Sequence, residues 1–223
     1  MTATPSRRSV LAALASLASL GPAATSAVWA AAPAGRRVRI VALGDSLTAG
    51  YGLPPGDAFP VRLEAALKAK GHHVEVINAG VSGDTSDQGL ARLDWSTPED
   101  ADAAIVEFGA NDALRGLPPA TTRAALDEIV GRLAARMPVL LTGMRAPRNM
   151  GEAYANAYDP LFREVAEKHG ALYDPFFLEG VVLDPRLNQP DGIHPNRAGV
   201  DLIVGRILPM VEDLIGRALA RRP

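Results

Sequence analysis

The stretch "RVRIVALGDSLTAGYGL", residues 37 to 53, joins an apolar run to a turn dense in glycine and hydroxyl groups. The apolar run reads as a buried strand, so a strand passes directly into that turn. Glycine after a strand serves one of two ends. It lets backbone amides approach a phosphate, or it makes a bend sharp enough to present a nucleophilic side chain. The dinucleotide fingerprint would require glycine at position 55, where proline stands. Pro54 and Pro55 also prevent a helix from starting where a pyrophosphate would sit, and no Walker-type lysine follows. The turn is therefore read as the presenter of Ser46.

Working outward, "VEVINAG" (74–80), "AAIVEFG" (103–109), "PVLLTGM" (138–144) and "ALYDPFF" (171–177) repeat the strand pattern, making five strands with residues 37–43. Between them lie helical periods. Phe59, Leu63 and Leu67 recur at four-residue spacing, and Leu126, Ile129, Val130 and Leu133 follow the i, i+3, i+4, i+7 rule. So do Tyr154, Tyr158, Leu161, Phe162 and Val165, read as one helical face, and Val200, Ile203, Ile207, Val211 and Leu214 near the C-terminus. Alternating strands and helices need crossover connections, which give a mainly parallel sheet covered on both faces: a doubly wound α/β domain. No internal repeat, low-complexity linker or composition shift interrupts residues 37–223, so one domain is expected there.

The first thirty residues differ from the rest. They hold Arg7 and Arg8, no acidic residue, and an apolar stretch from Val10 to Leu20 that is too short for a bilayer, which needs ~20 residues. "AVWAAAP" then resembles a signal-peptidase site, with cleavage expected after Ala30 and a short segment, 31–36, before the domain. The paired arginines in "SRRSVL" look like a twin-arginine export signal. Val10 stands where such motifs commonly have phenylalanine, which leaves a general secretory signal as the alternative. Export to the periplasm or the medium is the expectation.

Composition excludes several classes. A formal charge of −2 over 223 residues gives no electrostatic ground for a nucleic-acid partner, and losing the two leader arginines makes the chain more acidic still. Without cysteine there is no thiol nucleophile and no thiolate metal site. At 48% apolar residues the chain can fill a substantial core, and no second apolar segment approaches spanning length.

In doubly wound sheets, ligands bind beyond the carboxyl ends of the strands. After the first strand come Gly44, Asp45 and Ser46; after the second, Gly80, Ser82 and Gly83; after the third, Asn111 and Asp112; after the fifth, Asp191 and His194. These are the components of acyl transfer. A serine hydroxyl needs a base to take its proton, and neutral imidazole, with an ordinary pKa near 6.5, suits the task. A carboxylate on the second imidazole nitrogen fixes the tautomer and stabilises the cation that forms. Asp191 and His194, three positions apart around Gly192, can meet if the turn curls back. The Ser46 and Gly80 amides and the Asn111 carboxamide would then supply donors for the oxyanion.

"GDSLTAGYGL", "NAGVSGDTS", "GANDALRG" and "DGIHPN", in this order, resemble the four sequence blocks of the GDSL-type, or SGNH, hydrolases, over nearly all of residues 38–215. "DTSDQGLARL" and "GANDALRGLPP" look especially like the exported thioesterase I, lysophospholipase and arylesterase branch. The resemblance implies a flavodoxin-like three-layer α/β/α sandwich. It also implies a serine esterase or thioesterase that needs no metal or cofactor, with Ser46 as nucleophile, His194 as base and Asp191 as its partner. Gly80 and Asn111 would join the Ser46 amide in the oxyanion hole. The expected partner is a small acyl ester or thioester, lysophospholipid included, with Ala113–Pro119 and residues 144–154 walling the acyl pocket. A carbohydrate acetylesterase with the same machinery and a non-catalytic binding domain of the same fold are the alternatives.

Other residues read more plainly. Asp45 is expected to brace its turn, and Glu107, inside the third strand, to be a partly buried, hydrogen-bonded carboxylate rather than a catalyst. His72 and His73 read as a solvated loop. Trp95, Tyr158, Phe176 and Phe177 read as packing residues, with contact to an acyl chain as the alternative for any of them.

Overall fold

β1 (Val38–Gly44) has all but one of its residues buried, because a parallel strand covered on both faces must be apolar on both. The structure, a computed structural model, describes residues 36–221. The expected leader, its cleavage point and most of the short segment after it lie outside the described residues. Along the chain β1 is followed by α1 (Ser46–Ala49), α2 (Phe59–Ala69), β2 (Val74–Gly80), α3 (Ser86–Ala91), α4 (Leu93–Ser96) and β3 (Ala103–Glu107). Then come α5 (Ala110–Leu114), α6 (Pro119–Arg136), β4 (Val139–Thr142), α7 (Glu152–Tyr158), α8 (Leu161–His169), β5 (Leu172–Asp174) and α9 (Arg197–Arg221).

The five strands form one parallel sheet in the order β2-β1-β3-β4-β5. This order reverses beside β1, so the loops after β1 and β3 diverge there and leave a crevice. α2 and α9 pack together, as do α3 with α6 and α6 with α8. The apolar periods land as the sequence suggests: Phe59, Leu63 and Leu67 are buried on α2, Leu126, Ile129, Val130 and Leu133 on α6, and Val200 through Leu214 on α9. Each such side chain contributes roughly 1.5–3 kcal/mol of burial.

One helical face is divided. The period from Tyr154 to Val165 belongs to two helices, with Asp159 and Pro160 between them. A proline inside a helix has no amide to give and crowds the carbonyl four residues back. Tyr158, Leu161, Phe162 and Val165 are buried all the same, so the periodicity survives the break. Trp95 also departs from expectation: it is 76% exposed, on the short α4, and packs into no core.

The registers align Gly80, Gly44, Glu107, Thr142 and Asp174 in one row across the sheet. This row is the carboxyl edge, and every loop with chemistry-bearing residues departs from it. No described helix is long and apolar enough to cross a membrane.

Candidate active site

Asp45 caps α1 by accepting the Leu47 amide on Oδ1 at 2.9 Å, so the chain turns into a helix directly after the strand and Ser46 leads that helix. First-turn amides have no intrahelical acceptor, which leaves the Ser46 N–H available for an incoming negative charge. The bracing role expected of Asp45 is thus seen directly.

The histidine arrives from the far end of the chain. Asp191 Oδ1 accepts the amides of Ile193 and His194, each at 3.0 Å, which curls the turn back on itself. Its other oxygen, Oδ2, accepts His194 Nδ1–H at 2.7 Å. With the proton on Nδ1, the lone pair of Nε2 faces Ser46 Oγ at 2.9 Å, and the hydroxyl donates to it. The Ile193 amide, joined by the contacts with His194, holds the Asp191 carboxyl down at about 2, so the carboxylate is ionised whenever the site is neutral. Ser46, Asp191 and His194, 148 positions apart at the extremes, are therefore one hydrogen-bonded relay.

Two residues assigned no role from the sequence steady the imidazole. The Tyr51 ring lies 4.6 Å from the His194 ring, centroid to centroid. Gln189 Nε2 donates to the carbonyls of Tyr51 and Pro195 at 2.7 and 3.0 Å, tying the histidine loop to the serine turn. Arg92 acts elsewhere, beneath the serine turn. Its guanidinium donates to Asp84 Oδ2 and to the carbonyls of Gly44 and Ala79, clamping the ends of β1 and β2. A lone tyrosine, glutamine or arginine carries no periodic signal, and only the folded contact reveals these roles.

The expected oxyanion donors are arranged less simply. Asn111 stands on α5, whose neighbour Asp112 is buried and accepts from Ser86 N, Ser86 Oγ and Thr122 Oγ1. That fixes α5, and Asn111 Nδ2 reaches Asp45 Oδ2 at 3.1 Å and the Asp84 carbonyl at 3.0 Å. Gly80 does not offer a free amide: its N–H donates to Asn78 Oδ1 at 3.0 Å. The glycine there answers a steric demand, since a Cβ would lie 2.3 Å from the Ala49 nitrogen. In the following turn, closed by Asp84 N–H to Val81 O, Gly83 holds a left-handed φ of 89°. Its amide lies on the central peptide of that turn and donates to no described residue, one position from the carbonyl that Asn111 touches.

A cleft of about 480 Å³ opens beside this relay, within the range of ligand sites. Ala110 and Ile193, which adjoin Asn111 and His194, line its inner end, with Leu114, Met144, Phe176 and Leu178 along it. Arg145 and Arg148 also line it. The expected walls at 113–119 and 144–154 are therefore present in part, through Ala113, Leu114 and residues 144–148. The segment 176–183 forms a further wall: Phe176 takes the acyl-pocket alternative left open for it, whereas Leu178, Val182 and Leu183 carried no sequence signal.

Elsewhere, His72 meets Glu212 of α9 at 2.9 Å and is half-buried rather than a free loop residue. Phe177 is buried in the core, as expected.

Comparison with known proteins gives a consistent result. A family model described as the GDSL-like Lipase/Acylhydrolase family matches residues 42–202. The chain is 38% identical over 162 residues to an arylesterase of Vibrio mimicus, covering 70% of this chain and 80% of that protein. It is 37% identical over 178 residues to thioesterase 1/protease 1/lysophospholipase L1 of Escherichia coli K12, covering 79% and 84%. Among solved structures it resembles AlinE4, an SGNH-hydrolase family esterase, at 45% identity and a TM-score of 0.68, covering 80% of this chain and 97% of that one.

Proposed function

Because the chain belongs to the GDSL-like lipase/acylhydrolase family, we propose that it is an exported serine hydrolase that cleaves carboxylic esters or thioesters through an acyl-enzyme on Ser46. The relay from Asp191 through His194 to Ser46 carries this reading. His194 Nε2 takes the hydroxyl proton as Oγ attacks the acyl carbonyl, and Asp191 stabilises the imidazolium on Nδ1. The carbon–oxygen double bond opens to an oxyanion. The Ser46 amide and Asn111 Nδ2 receive it, the latter turning one hydrogen from the Asp84 carbonyl while keeping its bond to Asp45. Gly83, with its unengaged amide, is better placed than Gly80 to be the third donor. Collapse breaks the bond to the leaving group, which takes the proton from His194 Nε2. A water, deprotonated by the same nitrogen, then releases the acid and restores Ser46.

The cleft's apolar lining favours an acyl chain over the bare acetyl group of a decorated carbohydrate, and supports arylester, thioester and lysophospholipid substrates of short to medium chain. An intact relay is not what a binding domain that had lost turnover would keep. The leader composition supports export.

Replacing Ser46 by alanine tests the assignment. Hydrolysis of a p-nitrophenyl ester by Ser46→Ala should fall by ~10⁴-fold or more. A variant that turns over at the wild-type rate would overturn it.

A further inference from the structure

The serine turn rests on a carboxyl group that the proposed mechanism does not use. Glu107 ends β3, in register with Gly44 on one side and Thr142 on the other, and is wholly buried. Its Oε2 accepts the Thr48 hydroxyl at 2.8 Å and the Asp45 amide at 3.4 Å. Its Oε1 is shielded from solvent and has no hydrogen-bond partner among the described residues. The site was shaped to admit this side chain: a Cβ on Gly44 would lie 2.7 Å from Glu107 Oε2 and 2.2 Å from Thr48 Oγ1.

Two carboxyl groups meet there without a cation. Neither Glu107 nor Asp45 forms a salt bridge with any described lysine or arginine. From α1 the pair faces Thr48; from β4, Thr142, whose hydroxyl turns to the Val106 carbonyl. From α5 it faces Asn111, which binds Asp45, and across the site His194 acts on Asp45 by charge. Two adjacent buried carboxylates with an orphaned oxygen are an arrangement that proteins avoid, whereas one acid and one carboxylate share a proton readily. Burial and the neighbouring charge of Asp45 both push the Glu107 acid upward, and the Asp45 amide already rests on its Oε2 at 3.4 Å.

We propose that Glu107 is a positioning residue for catalysis: held as the neutral acid, it donates a hydrogen bond to the Asp45 carboxylate, which in turn holds Asn111 Nδ2 and the Leu47 amide. Glu107 touches no substrate. It keeps the oxyanion carboxamide and the serine turn in fixed relation through one shared acceptor, and so rests on the serine-hydrolase reading above. The sign of its pH dependence follows. The neutral form, raised above its unfolded value, is present at acid and neutral pH and is lost as pH rises through the folded value.

Glu107→Gln keeps a neutral donor of the same shape, and Glu107→Leu keeps the volume without the donor. The inference expects Gln to retain kcat within about threefold at pH 7 and to lose the wild-type decline on the alkaline side. It expects Leu to lose roughly ten- to a hundredfold in kcat with little change in KM, the scale of a broken coupled network. Carboxyl-region infrared difference spectra at pH 7.5 should show a protonated carboxyl band in the wild type that is absent in Glu107→Gln. A folded Leu variant with wild-type kcat, a Gln variant as impaired as Leu, or a wild type without that band would each overturn the inference. If Leu fails to fold, the Gln pH profile and the infrared band still decide. Covalent labelling of wild-type Ser46 by a fluorophosphonate separates the two levels, since its failure indicts the hydrolase reading and its success leaves only the role of Glu107 at stake.

Discussion

At the scale of single residues, the site is governed by two aspartates whose acidities are shifted in opposite directions. Asp191 sits on a surface turn, where the Ile193 amide and then the contacts with His194 hold it down at about 2. Its depressed value stabilises the fold above its ordinary, unfolded value near 4, and that contribution fades as pH falls from there through about 2. Asp45 is buried, which raises it to about 6 despite the donors from Leu47 and Asn111. Its proton therefore returns as pH falls through about 6, and the Asp45 oxygen then becomes a poorer acceptor for Asn111. Side-chain ¹³C titration should find Asp191 still ionised at pH 4, and Asp45 changing near pH 6 in step with a loss of kcat. An Asp45 signal that titrates near 4 while kcat still falls near 6 would detach the residue from the acid limb. Ser46, His194, Asp191 and Asn111 were legible in the sequence because each follows a strand and carries a recognisable chemistry. Gly80 and Gly83 were both visible, but which amide is free depends on where the Asn78 side chain turns, and no spacing encodes that.

At the scale of elements, the five strands and the long helices were readable because burial on both faces leaves continuous apolar runs and burial on one leaves a 3.6-residue period. The break between α7 and α8 was hidden for the same reason. Its buried residues keep their period while Pro160 divides the backbone. The cleft was half legible. Residues 113–119 and 144–154 announce themselves by following strands, whereas 176–183 folds as successive turns whose aim emerges only in three dimensions. Val182 stands at the cleft mouth and is half exposed, so a larger side chain there obstructs the cleft without entering the core. Val182→Trp should therefore shift preference toward shorter acyl chains, with p-nitrophenyl acetate turnover little changed and longer esters losing about tenfold in kcat/KM, the scale of a few lost methylene contacts. An unchanged chain-length profile across graded p-nitrophenyl esters would remove the acyl chain from this cleft.

At the scale of the whole molecule, function follows from one alignment. A parallel sheet with the order β2-β1-β3-β4-β5 brings the ends of its strands to a common edge, and a long return from β5 carries His194 back over β1. Residues 46 and 194 thereby share a hydrogen bond at 2.9 Å. Arg92, Gln189 and Glu107 then lock three loops to that edge, which lets a small domain hold a reactive geometry without disulfide bonds. The claim at the centre of this account is that Ser46 becomes covalently acylated. Intact mass measurement and peptide mapping after treatment with a fluorophosphonate test it most directly. The account predicts one adduct per chain, located on Ser46, with esterase activity lost in proportion to labelling. Unmodified Ser46 in a protein that continues to hydrolyse esters would contradict it.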